Sequence, residues 1–144
     1  MKTHLTKITD LLIRTGSRAR KSSQTEMDVK IAKGLMEWID SKSFCRNNES
    51  ISDVAEAIGV SSEALSYYCN HVLRMHFASF RKILRLKEAK ELIRKNPYAS
   101  IISIAYSVGI YDKCNFRRQF YEEFGIPPSE WRRKCRKIYE LKLH

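Results

Sequence analysis

The sequence predicts an all-α protein with two helix-turn-helix subdomains, and two observations lead to this prediction. Apolar residues recur at spacings of three and four along most of the 144 residues, as they do on one face of a helix. Residues 100–132 then combine a short apolar helix, a glycine turn and a second helix rich in basic residues. This succession is typical of a helix-turn-helix that reads DNA. A long connector helix and a short amino-terminal helical extension complete the predicted fold.

Residues 1–25 are predicted to be an extension ahead of the main domain. Leucine and isoleucine recur at helical spacing in its first half, and residues 14–23 are basic and rich in serine. We therefore expect a short amphipathic helix followed by a flexible linker or arm. The helix could pack on the domain, pair with another protomer or be disordered. We favour an appended helix with weak partner contacts, so that the chain is a monomer or a weak dimer.

The main domain is assigned to residues 26–144 and begins with a helix over residues 28–41. The apolar residues of this helix lie on one side, where they can pack on the first reading unit: Ile31, Leu35, Trp38 and Ile39. Residues 44–50 are predicted to be a polar linker. The first helix-turn-helix then occupies about residues 51–72, with Gly59 at its turn.

A longer helix over about residues 77–95 is predicted to connect the two units. Its apolar residues can pack against both of them, while its lysines and arginines form a basic exterior. Asn96-Pro97 ends this helix, because a residue that precedes proline is driven out of the helical conformation.

The second helix-turn-helix is assigned to about residues 101–124. Its first helix has one apolar face, and Gly109 follows where the chain must turn, because glycine takes a left-handed conformation without steric cost. The second helix places Phe116, Phe120 and Phe124 on one face and its basic residues largely off that face. One face can therefore anchor the helix while another reads DNA.

The second unit and its continuation closely resemble the signature of the AraC/XylS transcription regulators, through the runs I-A-x-x-V-G-I-x-D-K-x-N-F-x-x-Q-F and F-G-I-P-P-S-E-W-R. The resemblance implies a DNA-binding domain in which a connector helix joins two helix-turn-helix units as a homeodomain-like pair. It also implies that a monomer binds an asymmetric site and recruits or contacts RNA polymerase. Many family members carry a ligand-sensing or dimerisation domain ahead of this part. Because only the short extension stands there, we expect no ligand sensing within the chain.

The resemblance requires an internal repeat, and the sequence contains one. Residues 51–69 can be laid on residues 101–120 so that Gly59 pairs with Gly109. After the glycine, the first copy reaches its anchor Leu65 one residue sooner than the second copy reaches Phe116. We therefore expect two similar but inequivalent reading units.

The charge of the chain favours a polyanionic partner. Lysine and arginine outnumber aspartate and glutamate by 27 to 16, for a formal net charge of +11. Such a field attracts DNA, RNA or an acidic membrane surface without choosing among them. The sequence has no apolar run of about 18 residues for a membrane helix and no secretory signal, so a cytoplasmic protein is expected.

The sequence contains no motif that is typical of metal binding or catalysis. The four cysteines are widely spaced, and the four histidines form no ligand pattern beside them, so reduced cysteines are expected rather than zinc ligands. Phosphate-loop, zinc-protease and nucleophile-elbow motifs are also absent. We therefore expect no catalytic residues, no metal, no cofactor and no enzymatic activity.

Reading residues of the second unit follow by position from the resemblance. Four residues match the positions that approach base edges: Lys113, Cys114, Asn115 and Arg118. Lysine and arginine suit guanine O6 and N7, and asparagine suits adenine N6 and N7. Arg117 and Arg81 are better candidates for phosphate contacts. The alternative for each basic residue is a solvated helix face. Tyr111 stands where a capping serine is usual, which leaves Asp112 as the nearest side chain able to cap the helix.

The same correspondence assigns three reading positions to the first unit: Glu63, Ser66 and Tyr67. Tyr67 stands where arginine is frequent in the family. Glu63 could accept from cytosine N4, be repelled by phosphate, or stabilise the first turn of a helix capped by Ser61. Cys69 replaces an aromatic anchor and Arg74 replaces a common glycine. Tyr67 and Glu63 lead us to expect less readout from this helix, while Cys69 and Arg74 leave the local geometry after it open.

The sequence thus predicts a DNA-binding transcriptional regulator that places two reading helices in adjacent major-groove segments of double-stranded DNA. One alternative is an architectural protein that relies on charge and DNA deformation. Another is an interaction module that binds other regulators without recognising DNA.

Overall fold

A computed structural model describes residues 4–17 and 23–143, and these residues form eight α-helices and no strand. The helices are α1 (His4–Ser17), α2 (Ser23–Asp40), α3 (Ile51–Ile58), α4 (Ser62–Tyr68), α5 (Phe77–Lys95), α6 (Ile101–Ser107), α7 (Lys113–Phe124) and α8 (Pro128–Leu143). A 3-10 turn at Ser43–Cys45 and a π turn at Cys69–Leu73 accompany them. The all-α prediction is confirmed. The prediction of a flexible linker or arm over residues 14–23 is wrong at residues 14–17, which belong to α1, and at Ser23, which begins α2. The rest of that segment, residues 18–22, lies outside the described residues.

The chain divides into two compact units, and α5 contributes to both. The first unit comprises the described residues up to Phe44 together with Asn48–Lys82. The second comprises Cys45–Asn47 and the described residues from Ile83 onward. Each unit therefore holds one helix-turn-helix, α3 with α4 in the first and α6 with α7 in the second. The connector helix predicted over residues 77–95 is α5.

Helix α1 is packed into the first unit. Its residues Ile8 and Leu12 are buried, and the helix contacts α2 and the π turn. Near its end the Thr15 hydroxyl accepts a 3.0 Å hydrogen bond from the Tyr68 hydroxyl and donates to the carbonyl of Leu11. Burial raises the pKa of Tyr68 to about 12, because ionisation would place a charge in the core. The predicted amphipathic helix is confirmed, and packing on the domain is the arrangement that it adopts.

An aromatic cluster around Trp38 holds α2 in the first unit. The Trp38 ring meets three phenylalanine rings at centroid distances of 5.5 to 6.1 Å: Phe44, Phe77 and Phe80. Its indole nitrogen donates a 2.7 Å hydrogen bond to Glu49. The prediction of a polar linker from residue 44 is wrong at its first position, because the 3-10 turn places Phe44 in the core, only 4% exposed.

Helix α3 begins with two reciprocal hydrogen bonds. The Ser50 hydroxyl accepts from the backbone N–H of Asp53 at 3.1 Å, and the Asp53 carboxylate accepts from the backbone N–H of Ser50 at 2.9 Å. These two bonds form a capping box. The backbone N–H of Ser50, and then its hydroxyl, lower the pKa of the Asp53 carboxyl, because both donate to the charged form.

The chain leaves α4 through a widened turn. The backbone N–H groups of Arg74 and Met75 both reach the carbonyl of Cys69. Arg74 has φ 61° and ψ 32°, a left-handed conformation that favours glycine. The chain therefore leaves α4 through a π turn that ends at an arginine in a left-handed conformation. Cys69 is fully buried, and burial raises the pKa of its thiol to about 12.

The second unit has its own apolar core, to which α5, α6 and α7 contribute. Gly109 makes the predicted turn with φ +90°, and a Cβ at this position would lie 2.6 Å from the carbonyl oxygen of Cys45. Helix α8 is fixed by a 3.0 Å hydrogen bond from the Trp131 indole to the carbonyl of Lys90. The Lys90 ammonium lies 4.5 Å from the Phe124 ring centroid and 4.7 Å from that of Trp131.

Candidate nucleic-acid interface

Helix α7 is fixed from one side and capped at its start. Phe116 and Phe120 are fully buried, and their rings meet at a centroid distance of 5.7 Å. The Asp112 carboxylate accepts a 2.9 Å hydrogen bond from the backbone N–H of Asn115. This bond confirms Asp112 as the capping residue that takes the place of the usual serine. The buried phenylalanines and the cap together set which face of α7 is turned to solvent.

The solvent face of α7 carries all the residues that the sequence assigned to it. Five side chains are exposed there: Lys113, Cys114, Asn115, Arg117 and Arg118. Three of them are cationic, and none of the five is part of the apolar core. The face therefore offers hydrogen-bond donors and positive charge over the first two turns of the helix.

Two of these side chains are joined to each other. The Arg118 guanidinium donates a 2.9 Å hydrogen bond to the Asn115 side-chain carbonyl, and another of its nitrogens lies 3.7 Å from Glu122. A guanidinium has five N–H donors and a carbonyl oxygen has two lone pairs, so both groups keep capacity for a base edge. The contact orients the two side chains in the same direction before any ligand is bound.

The reading positions of the first unit share one depression on the surface. It has a volume of about 470 Å³ and is lined by seven residues: Ile51, Ser62, Glu63, Ser66, Tyr67, Asn70 and His71. The three predicted positions are therefore brought together. Glu63 lies in the first turn of α4, whose capping residue Ser61 accepts from the backbone N–H of Ala64 at 3.1 Å. That placement suits the stabilising role considered for its charge.

Asn70 and His71 are residues of this surface that sequence reasoning missed. The rings of Tyr67 and His71 meet at a centroid distance of 3.9 Å with their planes tilted by 41°, and Asn70 is exposed beside them. Their spacing of three and four from Tyr67 was the available signal, because residues so spaced share a helix face. The first reading surface is thus aromatic and polar. Among the residues that line the depression, Glu63 carries a formal charge.

The predicted phosphate contacts differ from each other in their surroundings. Arg117 is exposed on α7. Arg81 is only partly exposed, donates to the backbone carbonyl of Glu49 and lies 5.3 Å from the Phe77 ring centroid. Arg81 therefore ties the segment before α3 to α5. It has further N–H donors that this bond does not use.

The described residues contain no group of three or more His, Cys, Asp or Glu side chains that could hold a metal ion. None of the helices in residues 4–17 and 23–143 is long and apolar enough to cross a membrane. Buried polar side-chain atoms in this part of the chain all have hydrogen-bond partners.

Comparison with protein families shows which family the chain belongs to. A family profile described as "Helix-turn-helix domain" matches residues 54–134, which is more than half of the sequence and includes both reading helices. The chain belongs to the AraC-type helix-turn-helix family. The AraC-type match begins inside α3 and ends inside α8, so α1 and α2 lie ahead of it.

Two curated AraC-type relatives align with large parts of the chain. The transcriptional activator RhrA of Rhizobium meliloti is 38% identical over 85 residues, which are 58% of this chain and 27% of RhrA. The arabinose operon regulatory protein of Escherichia coli is 27% identical over 125 residues, which are 87% of this chain and 42% of that protein. The chain thus spans less than half the length of these relatives.

Solved structures of AraC-type domains share the fold. A transcriptional regulator from Chromobacterium violaceum, described as containing an AraC-type DNA-binding domain, superposes with a TM-score of 0.66 at 23% identity, covering 74% of this chain and 91% of that one. The carboxyl-terminal domain of AraT, a response regulator from Geobacillus stearothermophilus, gives a TM-score of 0.63 at 25% identity, with 73% and 84% covered. The predicted pair of helix-turn-helix units is confirmed as an AraC-type fold.

Proposed function

We propose that this chain is the DNA-reading part of a sequence-specific transcriptional regulator and that α4 and α7 occupy adjacent major-groove segments. The observation that carries the proposal is the exposed basic face of α7, opposite two buried phenylalanines in a helix-turn-helix. Helices so presented enter the major groove with their first residues at the base edges. Two similar units joined through the continuous helix α5 supply two such helices in one chain.

Specific readout is proposed to come chiefly from α7. Arg118 and Lys113 suit guanine, Asn115 suits adenine, and Cys114 lies among them on the same exposed turn. Arg117 contacts phosphate, and Arg81 uses the donors left free by Glu49 for the same purpose. In the first unit Glu63, Ser66 and Tyr67 approach the bases with fewer donors, so the sequence preference of that half-site is weaker.

The partner we propose beside double-stranded DNA is RNA polymerase, with the protein acting as an activator. The name of RhrA, a transcriptional activator 38% identical to this chain over 85 residues, supports this direction. A monomer is proposed as the binding species, because the apolar residues Ile8 and Leu12 of α1 are buried within their own unit. A regulator of this kind is expected to act in the cytoplasm and to need no catalytic group.

Selection of bound duplexes from a random pool at near-physiological salt tests the proposed function. We expect an enriched asymmetric motif that spans two major-groove segments. Such segments recur about every 34 Å, one helical turn of B-DNA. Arg118→Ala should cost about 1–3 kcal/mol on the selected duplex and relax the preference at one base pair. Arg117→Ala, its neighbour on α7, serves as the control and should weaken all sequences alike. Absence of any enriched motif would reject sequence-specific reading and leave the architectural or protein-binding alternatives.

A further inference from the structure

The outer face of α6 and the turn after it form an exposed surface without charge. Between Lys95 and Asp112 the sequence has no Asp, Glu, Lys, Arg or His, the longest such run in a chain of net charge +11. Four large side chains of this run are exposed, and one of them, Tyr98, is hydrogen-bonded to Glu140 of α8. The other three lie on α6 and the turn after it: Ile102 is exposed by 41%, Tyr106 by 51% and Tyr111 by 50%. We call these three residues the tyrosine surface.

The tyrosine surface adjoins the start of the reading helix. Tyr106 lies in the last turn of α6, and Tyr111 directly precedes Asp112, which caps α7. The two rings meet edge to face, with centroids 5.1 Å apart and planes at 77°. Aromatic pairs favour this arrangement, so each ring restrains the other. The pair is therefore held next to the end of α7 that carries Lys113 and Asn115.

The two phenol hydroxyls have no hydrogen-bond partner among the described residues. Other tyrosines of the chain do have one: the Tyr68 hydroxyl donates to Thr15, and the Tyr98 hydroxyl donates to Glu140 at 2.7 Å. Tyrosine hydroxyls are among the groups that bind phosphate oxygens in protein–DNA complexes. The first helix of a helix-turn-helix crosses the DNA backbone when the second enters the groove.

We infer that Tyr106 and Tyr111 hold the DNA backbone beside the groove that α7 reads, each donating a hydrogen bond from its hydroxyl to a phosphate oxygen. This inference rests on the proposed DNA binding and adds a contact of different physical character. A phenol carries no charge, so it binds phosphate without replacing a condensed counterion. Its contribution to affinity therefore persists at salt concentrations that weaken the contact of Arg117.

The size of the tyrosine surface also favours DNA over a docked protein. A stable protein–protein interface buries about 800 Å² on each partner, whereas three half-exposed side chains offer roughly a few hundred. A short run of backbone phosphates needs no larger area than that. The DNA backbone is thus the occupant that matches both the hydroxyl chemistry and the extent of the surface.

Fluorescence anisotropy titrations at several salt concentrations test the inference with Tyr106→Phe and Tyr111→Phe. These substitutions keep the rings and remove only the hydroxyls. The probes are the duplex obtained by selection and a scrambled duplex of the same length and composition. We expect each variant to bind both duplexes about three- to tenfold more weakly. The slope of log affinity against log salt should equal that of the unsubstituted protein, while Arg117→Ala should reduce it by about 0.9.

Tyr139→Phe is the matched control, because Tyr139 is an exposed tyrosine of the same unit, outside the tyrosine surface. It should bind both duplexes as the unsubstituted protein does. Unchanged affinity of the Tyr106 and Tyr111 variants for both duplexes overturns the inference and leaves the surface to a protein partner. A loss confined to the selected duplex, or a reduced salt slope, also overturns it. If selection yields no motif, the proposed function fails. Titrations with the scrambled duplex still measure how much the two hydroxyls contribute to affinity for DNA.

Discussion

At the level of single residues, the hydrogen bond from Arg118 to Asn115 makes the two side chains depend on each other for orientation. When either side chain is removed, the remaining one can adopt new rotamers and therefore loses part of its own contact with DNA. We therefore predict that the losses caused by Arg118→Ala and Asn115→Ala are not additive, with a coupling energy of about 0.5–3 kcal/mol. The measurement is a double-mutant cycle of binding free energies on the selected duplex.

A second cycle provides the comparison for this pair. Arg117 is exposed on the same helix, and the structure places no contact between it and Asn115. Losses from Arg117→Ala and Asn115→Ala should therefore add to within about 0.5 kcal/mol. Additive losses in the Arg118 cycle would show that the two side chains reach the bases independently.

Arg74 is a residue at which the local conformation opposes the residue type. Its φ of 61° is left-handed, which costs an L-residue with a side chain about 1–2 kcal/mol. Arg74→Gly should raise the free energy of unfolding by about 1 kcal/mol, since the greater freedom of glycine in the unfolded chain offsets part of the relief. Urea denaturation measures the change. Arg74→Ala is the control: it removes the charge and keeps the strain, so an equal gain there would assign the effect to charge.

At the level of elements, the capping box of α3 couples the stability of the first unit to pH. The pKa of Asp53 is lowered from its ordinary value of 3.8 because the N–H and the hydroxyl of Ser50 stabilise its charged form. The contribution is therefore complete above pH 3.8 and is lost as the pH falls through the lower pKa of the folded state. Denaturation midpoints measured from neutral to acidic pH should fall more for the unsubstituted protein than for Asp53→Asn. Parallel curves for the two proteins would show that the box does not respond to protonation.

Helix α1 is joined to the first reading helix by the bond between Thr15 and Tyr68, and the two ends of that bond are not equivalent. Thr15→Val leaves the buried Tyr68 hydroxyl without an acceptor, which costs about 1–3 kcal/mol. Tyr68→Phe removes the donor and leaves Thr15 donating to Leu11, so about 1 kcal/mol is expected. Urea denaturation measures the free energy of unfolding of both variants. Tyr67→Phe, at an exposed tyrosine, is the control. Equal stability of all three variants would mean that α1 does not support the reading helix.

Local signals account for the elements that could be predicted. Gly109 marks the second turn, Asn96-Pro97 ends α5, and Asp112 caps α7, because each acts through its own backbone or that of its neighbours. Phe44 could not be placed from the polar residues after it, since it packs on Trp38, a ring that in turn meets Phe77 and Phe80 of the distant helix α5. The π turn was not foreseeable either, because it continues directly from α4 at Cys69 with no glycine or proline to mark the change.

The distinction between features with a local sequence signal and features without one also applies to the candidate site. Exposure of the α7 residues followed from the spacing of Phe116 and Phe120, which fixes the buried face and hence its opposite. The contact of Arg81 with the Glu49 carbonyl joins residues 32 positions apart and leaves no trace in local periodicity. Sequence reasoning thus finds which residues are exposed on a helix more readily than which long side chains are already engaged.

At the level of the whole molecule, three of the four cysteines report on both cores and on the reading face at once. Cys69 is buried in the first unit and Cys135 in the second, whereas Cys114 is exposed on α7. Burial raises the pKa of both buried thiols, and because the thiolate is the reactive species, both are slow to alkylate. Accessibility and reactivity therefore rank Cys114 ahead of the two core cysteines.

We accordingly predict that iodoacetamide at neutral pH modifies Cys114 before Cys69 and Cys135, and that the selected duplex slows this reaction by covering α7. Mass spectrometry of peptides, sampled over time with and without DNA, gives the rate at each cysteine. Cys114→Ser should remove the protected thiol and leave the slow rates at Cys69 and Cys135 unchanged. Rapid modification of either buried thiol would mean that the corresponding core opens readily. Equal rates at Cys114 with and without the duplex would mean that α7 does not face DNA, because a helix lying in the major groove is shielded from a reagent in solution.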